Sequence, residues 1–216
     1  MDSTHEPPLA SYPPAPWRSG GTMWIALLPT TRPVPVPEGL TPVGKDRLVL
    51  MVIRYRTGTL CYDELIIGRL VRHNRRVGVW VHAIWVDSAA SLWGGRQIWG
   101  VPKQLATFTW RERGVLMKDD AGMRISIEFG RSSTWSVPTP FVAPAFGLLL
   151  GQLQFFRGAG RGRLRTSRVR LVSWPAGLPS VRTGLARAAH LDKFQMVVGA
   201  PRELTGAMTD THRTGR

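Results

Sequence analysis

Three long apolar segments follow one another in the first half of the chain, and any fold must bury them. They read RLVLMVIRYR at 47–56, ELIIGRLVR at 64–72 and RVGVWVHAIWV at 76–86. All three are rich in β-branched and aromatic residues, which favour strands. The first and third are almost continuously apolar rather than alternating, a pattern typical of strands buried on both faces. The HNRR between the second and third predicts a hairpin turn, so these two strands are expected to pair antiparallel.

Other segments complete a mainly β chain with one short helix. The helix is predicted at 87–93, where Asp87 or Ser88 can cap DSAASLW and the glycines at 94–95 would end it. Many strands with few helices predict an α+β or mainly antiparallel β fold, arranged as a cone or barrel. Further strands are predicted at 104–112, 122–129, 149–156, 163–173 and 193–199.

The ends of the chain differ in composition from its middle. Five prolines occur within the first sixteen residues, which predicts a flexible arm over 1–21. The last segment is polar and has no hydrophobic period, so 203–216 is expected to be a loose tail. A single domain over 22–202 is therefore predicted, a size that suits one hydrophobic core.

Charge and cysteine content limit the partners and the compartment. The formal net charge of +15 favours anionic partners without identifying one. The lone Cys61 excludes an intramolecular disulfide and is compatible with a reducing compartment. No apolar run approaches the roughly 20 residues that span a bilayer, and MWIALLP at 23–29 is too short for a convincing signal peptide. A cytoplasmic protein without a membrane partner is expected.

One lysine stands in an unusual place. Only four of the 29 Lys+Arg residues are lysine, and Lys103 lies within the apolar GGRQIWGVPKQLA at 94–106. A lysine amine attacks a carbonyl only as the free base, and burial disfavours the ammonium form. The alternative is a lysine at a strand edge, whose stem packs while its amine reaches water.

Two motifs at a characteristic interval suggest a family. VDSAASLWGGRQIWGVPKQLA at 86–106 resembles the acetoacetate decarboxylase superfamily, whose hallmark runs GR-E-x-x-G-x-P-K-K. GTLCYDEL at 58–65 is similar to the family's G-x-x-Y-x-E, and the interval from Glu64 to Lys103 also matches. VPEGL at 36–40 is similar to its VPEPL.

The resemblance implies a fold and a chemistry. The fold would be an antiparallel β-cone or barrel that encloses a buried active site. Lys103 would form a Schiff base with a keto acid, and Glu64 would be the acid near the reacting carbon. The implied reaction is decarboxylation of an acetoacetate-like β-keto acid without a cofactor, in a homo-oligomer. In acetoacetate decarboxylase such a lysine is activated by desolvation or by a nearby cation.

Three further residues are candidates for substrate binding. Arg18 in PWRSGG falls near the family's substrate-binding arginine. Tyr62 is a second candidate, although packing with a bonded hydroxyl also explains it. Arg96 is the third, and the alternative is that it anchors the turn after the helix.

Two departures from the family pattern leave the reaction open. Gln104 replaces the family's second lysine, and Gln97 stands where glutamate is usual. Activation of Lys103 would then depend on burial or on another cation such as Arg96. Related iminium chemistry, either aldol condensation or dehydration, and a non-catalytic ligand-binding member of the same fold are the alternatives.

A strongly basic segment offers a different class of function. RGAGRGRLRTSRVRLVSW at 157–174 holds six arginines within fourteen residues. Arg161, Arg163 and Arg165 alternate, so a strand would place them on one face. A nucleic-acid-binding strip and a subunit contact are both possible interpretations. A solvated edge strand is favoured, because no aromatic residues lie between the arginines. The GAGRG at 158–162 is expected to be a loop, and the five histidines lack metal-ligand spacing.

Overall fold

The computed structural model describes residues 12–182 and 184–204. The other residues of the predicted arm and tail, 1–11 and 205–216, lie outside the described part of the chain. The described residues form twelve strands and one helix: β1 (Trp17–Pro29), β2 (Thr41–Pro42), β3 (Arg47–Gly58), β4 (Tyr62–His73), β5 (Arg76–Val86), α1 (Ala89–Trp99), β6 (Lys103–Arg111), β7 (Gly114–Asp119), β8 (Arg124–Phe129), β9 (Val137–Leu149), β10 (Gln152–Ser173), β11 (Leu185–Val198) and β12 (Arg202–Leu204).

All twelve strands belong to one mixed sheet. Its order is β2-β4-β3-β1-β11-β10-β8-β7-β6-β5-β9, with β12 beside β10 and additional pairings of β4 with β5 and of β10 with β9. The pairs are antiparallel except β5–β6 and β5–β9, which are parallel. The predicted mainly antiparallel β fold with one helix is therefore confirmed, and the parallel pairs make the sheet mixed.

The first apolar segment is buried on both faces, as its pattern predicts. On one face of β3, Leu48, Leu50 and Val52 join the largest apolar core. On the other face, Ile53 and Tyr55 join a second core. Side chains alternate along a strand, so a continuously apolar sequence supplies two cores at once. The second core lies on the side of the sheet that carries the lysine.

The ends of the predicted domain differ from the observed strands. β1 begins at Trp17, so residues 17–21 lie in a strand where a flexible arm was expected. At the other end, β12 pairs with β10 through Leu204. The sequence WRSGGT predicts no strand because it contains two glycines. A Cβ at Gly21 would lie 1.8 Å from the carbonyl oxygen of Arg54 on β3, so glycine permits this close pairing.

The second half of the chain contains a longer strand than expected. β10 runs without interruption through the two predicted strands and through GAGRG, so the predicted loop at 158–162 is wrong. A Cβ at Gly160 would lie 2.1 Å from the carbonyl oxygen of Gln195, so the glycines serve close pairing with β11. The expected edge position of this segment is also wrong, because β10 has partners on both sides.

The helix is longer than its glycines suggest. Ser88 caps it, with its Oγ accepting from Ser91 N at 3.3 Å, as predicted. However, α1 continues through Gly94 and Gly95 and ends at Gly100, whose φ of 64° is the left-handed conformation favoured at helix ends. A Cβ at Gly94 would lie 2.5 Å from the ring of Trp17. The two glycines are therefore a packing surface, and the predicted end at 94–95 is wrong.

An aromatic stack in the larger core contains a histidine. His190 lies parallel to Trp24 with ring centroids 4.6 Å apart, and its Nδ1 is 2.7 Å from Ser132 Oγ. Its Nε2 is buried and has no hydrogen-bond partner among the described residues. Burial lowers the pKa of His190, Asp192 opposes this shift and Arg165 adds to it. The folded protein therefore favours the neutral ring.

We expect His190→Phe to flatten the loss of stability in mild acid. Below the ordinary histidine pKa of 6.5 the unfolded chain binds a proton that the folded ring resists, so the free energy of unfolding falls as pH decreases. Phenylalanine keeps the stacking and cannot titrate. Urea unfolding between pH 7.5 and 5.5 measures both slopes, and identical slopes would show that His190 carries no such linkage.

Candidate active site

Lys103 is buried at the start of β6, directly after the helix. Lys103 is only 5% exposed. Its Nζ lies 2.8 Å from Glu64 Oε2 and donates to Ser91 Oγ at 2.8 Å. The alternative of an amine that reaches water is wrong, because the nitrogen turns inward.

Two strands and the helix bring these groups together. Glu64 projects from β4, Ser91 from the first turn of α1 and Lys103 from β6. The backbone of Lys103 pairs in parallel with Ile84 of β5, which itself pairs with β4. The segment from β5 through α1 to β6 thus returns the lysine to the strand pair that carries the glutamate.

Two tyrosines surround the carboxylate of Glu64. Tyr55 OH donates to Glu64 Oε1 at 3.1 Å, and the ring of Tyr62 lies 5.0 Å from Lys103 Nζ. Burial raises the pKa of both phenols well above 10, and the negative charge of Glu64 raises it further. Both hydroxyls therefore stay protonated at neutral pH and can donate hydrogen bonds.

Gly95 leaves room for the stem of the lysine. A Cβ at this position would lie 2.4 Å from Cδ and 2.6 Å from Cε of Lys103. The ring of Trp17 lies on another side, with its centroid 5.9 Å from Nζ. Because glycine has no side chain, a channel remains beside the helix at position 95, and the stem of Lys103 lies in it.

We expect Gly95→Ala to displace the amine of Lys103 while the fold is kept. Alanine favours a helix over glycine by about 1 kcal/mol, so the helix should persist. The added methyl group must push the lysine stem aside, and a shift of about 1 Å can cost on the order of 100-fold in rate. Turnover of a keto acid and urea unfolding measure the two effects. Gly177→Ala is the control, since nothing lies within 4 Å of a Cβ there; equal activity of both variants would contradict the prediction.

Arg96 acts on the backbone of the lysine. Its Nε donates to the carbonyl oxygen of Lys103 at 2.8 Å, and its guanidinium lies 5.5 Å from the ring of Trp93. Burial lowers the pKa of Arg96. The side chain does not line the cavity described below, so the geometry favours the anchoring interpretation over direct binding of substrate.

The structure does not bring Arg18 to the lysine. Arg18 is exposed, whereas its neighbours Trp17 and Ser19 are buried and line the cavity. Successive side chains of a strand point to opposite faces, so all three cannot face the same space. The backbone N–H of Arg18 donates to Thr59 Oγ1 at 2.9 Å. A role in substrate binding thus lacks geometric support.

The two glutamines that depart from the family pattern face away from the amine. Gln104 and Gln97 are both exposed, whereas Lys103 is buried. Gln104 follows the lysine on β6 and therefore points to the other face of the strand. Neither glutamine contributes a group to the neighbourhood of the amine.

A cavity of about 360 Å³ opens in front of the lysine. Its polar lining comprises Ser19, Tyr55, Tyr62, Glu64 and Lys103, and the remaining lining residues are apolar. Lys103 and Glu64 are the only charged residues among the lining residues that the structure describes. A buried amine, a carboxylate and two phenols thus converge at the wall of an apolar cavity, an arrangement suited to proton transfer beside a nucleophile.

The sequence does not identify two members of this arrangement as site residues. Tyr55 lies in a predicted strand, and only the observed register, which pairs it with Tyr62, places its hydroxyl near Glu64. Ser91 lies in the predicted helix, but the sequence does not show which face of that helix is turned toward the lysine. Gly95 was interpreted as a helix end although it packs on the lysine.

The basic segment makes contacts within the chain. Arg163 Nε donates to Ser136 Oγ at 2.8 Å, and Arg170 pairs with Glu128 at 2.5 Å. These contacts give part of the arginine strip a role inside the fold. Nucleic-acid binding therefore stays the less favoured interpretation.

The described residues, 12–182 and 184–204, lack two further features. They contain no group of three or more His, Cys, Asp or Glu residues that could hold a metal ion. Likewise, no helix in this part of the chain is both long enough and apolar enough to cross a membrane.

Several solved structures share the fold. Acetoacetate decarboxylase from Legionella pneumophila subsp. pneumophila str. Philadelphia 1 is 16% identical, with 94% of this chain and 93% of that chain covered and a TM-score of 0.63. An acetoacetate decarboxylase-like enzyme from Sphingomonas wittichii RW1 is 17% identical, with 95% and 99% covered and a TM-score of 0.59.

A third similar structure contains a bound ligand. The enduracididine biosynthesis enzyme MppR, complexed with pyruvate, is 15% identical, with 92% of this chain and 93% of that chain covered and a TM-score of 0.63. MppR has also been solved with the condensation product of pyruvate and imidazole 4-carboxaldehyde. At these identities the structures show the fold alone.

Sequence comparison gives the family. No curated protein matches the chain with significant similarity. The profile of the acetoacetate decarboxylase family, however, matches residues 5–132, more than half of the chain. The matched region contains Glu64, Ser91 and Lys103. The chain belongs to the acetoacetate decarboxylase family.

Proposed function

We propose that this protein is a lyase that forms a Schiff base between Lys103 and the ketone of a keto acid. The proposed reaction is decarboxylation of an acetoacetate-like β-keto acid. One observation carries the proposal: the buried Lys103 amine lies 2.8 Å from both Glu64 and Ser91 at the wall of a cavity. A lysine with a purely structural role would be expected to have its nitrogen packed against other groups rather than beside a cavity.

Glu64 supplies the route to a free amine. Two opposite charges are costly to bury, so a proton can pass from the Lys103 ammonium to the Glu64 carboxylate during the reaction, which leaves a neutral amine and a neutral acid. The 2.8 Å contact permits this transfer directly. Activation therefore does not require a second lysine, and Gln104 at the next position is compatible with catalysis.

The chemical steps balance without a cofactor. The Lys103 amine attacks the ketone carbon, and the resulting carbinolamine takes up one proton from solvent as its hydroxyl leaves as water, which gives the iminium. The bond to the carboxylate carbon then breaks, its electron pair moves toward the iminium nitrogen, and CO₂ leaves an enamine. The acid form of Glu64 protonates the enamine carbon. Water then adds to the iminium, the ketone and the free amine are released, and the proton set free returns to the Glu64 carboxylate.

The strand pairings support a closed cone around this site. They run from β4 through β3, β1, β11, β10 and β9 to β5, and β5 pairs again with β4. Each of these strands carries residues that line the cavity. Closure would remove free strand edges and enclose the cavity between the strands and α1. We propose this enclosed arrangement, in a homo-oligomer, as the active form.

Aldol-type condensation is the second candidate. The specific observation is the cavity volume of about 360 Å³, which leaves room for an aldehyde beside a small keto acid at Lys103. The pyruvate complexes of MppR support chemistry in which an enamine attacks an aldehyde instead of being protonated.

Reductive trapping tests the proposal. The protein is incubated with acetoacetate or pyruvate and reduced with borohydride, and the adduct is located by peptide mapping. We expect the added mass on Lys103. The exposed Lys45, Lys118 and Lys193 are internal controls in the same molecule. Absence of an adduct on Lys103 across a panel of keto acids would refute the proposed chemistry, and release of CO₂ separates decarboxylation from condensation.

A further inference from the structure

The cavity extends far beyond the lysine. Along β4, the lining residues run from Glu64 to Leu70, six positions and about 20 Å at the rise of a strand. Along β3, they run from Tyr55 to Val49, which is the same distance. Two neighbouring strands thus give the cavity one long axis, with the reactive groups at one end.

The far end is apolar and reaches solvent. Leu70 and Val142 line the cavity and are 37% and 61% exposed, so they mark its opening. Between this opening and the tyrosines the wall consists of aliphatic side chains, among them Ile25, Met51 and Val79. A polar or charged group in this half would lose its hydration without gaining a partner.

The size of the cavity also exceeds the needs of a small keto acid. A volume of about 360 Å³ falls within the range of about 300–1,000 Å³ that accommodates drug-sized ligands. A four-carbon acid at Lys103 would leave the aliphatic half filled with water, which such surfaces disfavour.

We propose that the substrate is a 3-oxo acid with an apolar tail that fills the cavity from Lys103 toward Leu70 and Val142. The inference rests on the proposed Schiff-base function. The ketone and carboxylate lie at Lys103 and Glu64, and the tail lies between β3, β4 and β9. Leu70 and Val142 are therefore residues that determine specificity without touching the reacting atoms.

A series of chain lengths tests the proposal. We expect kcat/KM, measured as CO₂ release or as the rate of reductive trapping, to rise from acetoacetate through 3-oxohexanoate and 3-oxooctanoate to 3-oxodecanoate. Each buried methylene should contribute a factor of about four, so acetoacetate and 3-oxooctanoate should differ by roughly a hundredfold or more. A flat or falling series would overturn the tail proposal and leave the Schiff-base function intact.

A matched pair of variants locates the tail. Leu70→Arg places a charge at the opening and should lower kcat/KM for 3-oxodecanoate at least tenfold, with a much smaller loss for acetoacetate, which does not reach this end of the cavity. Leu185→Arg is the control, because Leu185 is 57% exposed and does not line the cavity. Equal effects of the two variants, or an equal loss for both substrates, would contradict the proposed position.

A binding measurement separates the two proposals. Methyl ketones of increasing chain length are titrated into the Lys103→Met variant, with the change in total tryptophan fluorescence as the signal, because two of the nine tryptophans, Trp17 and Trp99, line the cavity. Affinity that rises with length supports the tail site independently of covalent chemistry, and affinity without length dependence overturns it. A third outcome is that binding depends on chain length but the parent protein traps no keto acid. This outcome would refute both the Schiff-base function and the assignment of a 3-oxo acid as substrate. Only the apolar binding site would then be retained.

Discussion

Replacing Lys103 with methionine is expected to abolish reductive trapping of keto acids and to lower turnover by roughly 10⁴-fold or more. No other amine occurs among the described residues that line the cavity, so nothing there can replace the nucleophile. Enzymes that accelerate reactions by about 10⁶-fold or more lose most of that gain when the covalent route is closed. Methionine keeps the length and the apolar stem, so the channel beside Gly95 stays filled.

The measurement compares CO₂ release and peptide adducts in the variant and the parent protein. Lys118→Met is the control, because this lysine is exposed and lies outside the cavity. Both variants should retain the far-ultraviolet circular dichroism of the parent. Turnover by Lys103→Met within tenfold of the parent would show that the reaction proceeds without an iminium at this position.

The second large effect concerns stability and the buried ion pair. We expect Lys103→Met and Glu64→Gln each to lower the free energy of unfolding by about 3–5 kcal/mol, since either change leaves one charge buried without its partner. The double variant should be more stable than the sum of the two losses predicts, because two neutral side chains then meet in an apolar environment. Urea unfolding of the four proteins gives the coupling energy.

An exposed pair in the same sheet provides the comparison. The side chains of Arg170 and Glu128 are 59% and 50% exposed, and such pairs contribute about 0–1 kcal/mol. Glu128→Gln should therefore have a small effect. Additive losses in the buried pair, with no coupling beyond that of the exposed pair, would indicate that Lys103 and Glu64 are not charged partners in the folded protein.

The sequence predicts the central strands and the pairing of Lys103 with Glu64 for physical reasons. Continuously apolar β-branched segments have few stable environments other than a buried sheet, so the strands that became β3, β4 and β5 are recognisable. Lys103 and Glu64 are recognisable because a lysine in apolar surroundings needs an explanation and because the motif supplies one. The long β10 was not predicted, because Gly158 and Gly160 weaken a strand unless a neighbouring backbone needs the space.

The rest of the site depends on contacts between distant segments. Tyr55 joins the site through strand register. Ser91 joins it through the orientation of α1, which places its first turn beside Lys103. Gly95 is the clearest case: the sequence shows a residue that ends helices, and the structure shows a residue whose missing Cβ admits the lysine. Local propensity cannot distinguish these two uses of glycine.

The pairing of β1 with β11 has a consequence for how the protein folds. Trp17 pairs with Val198, so the first and nearly the last strands of the described chain are neighbours. Pairings between such distant segments close large loops and slow folding. During synthesis β1 can pair with β3 early, but its other edge stays unpaired until β11 emerges. Until then part of the aliphatic surface of the future cavity is uncovered, so the cavity is completed late in folding.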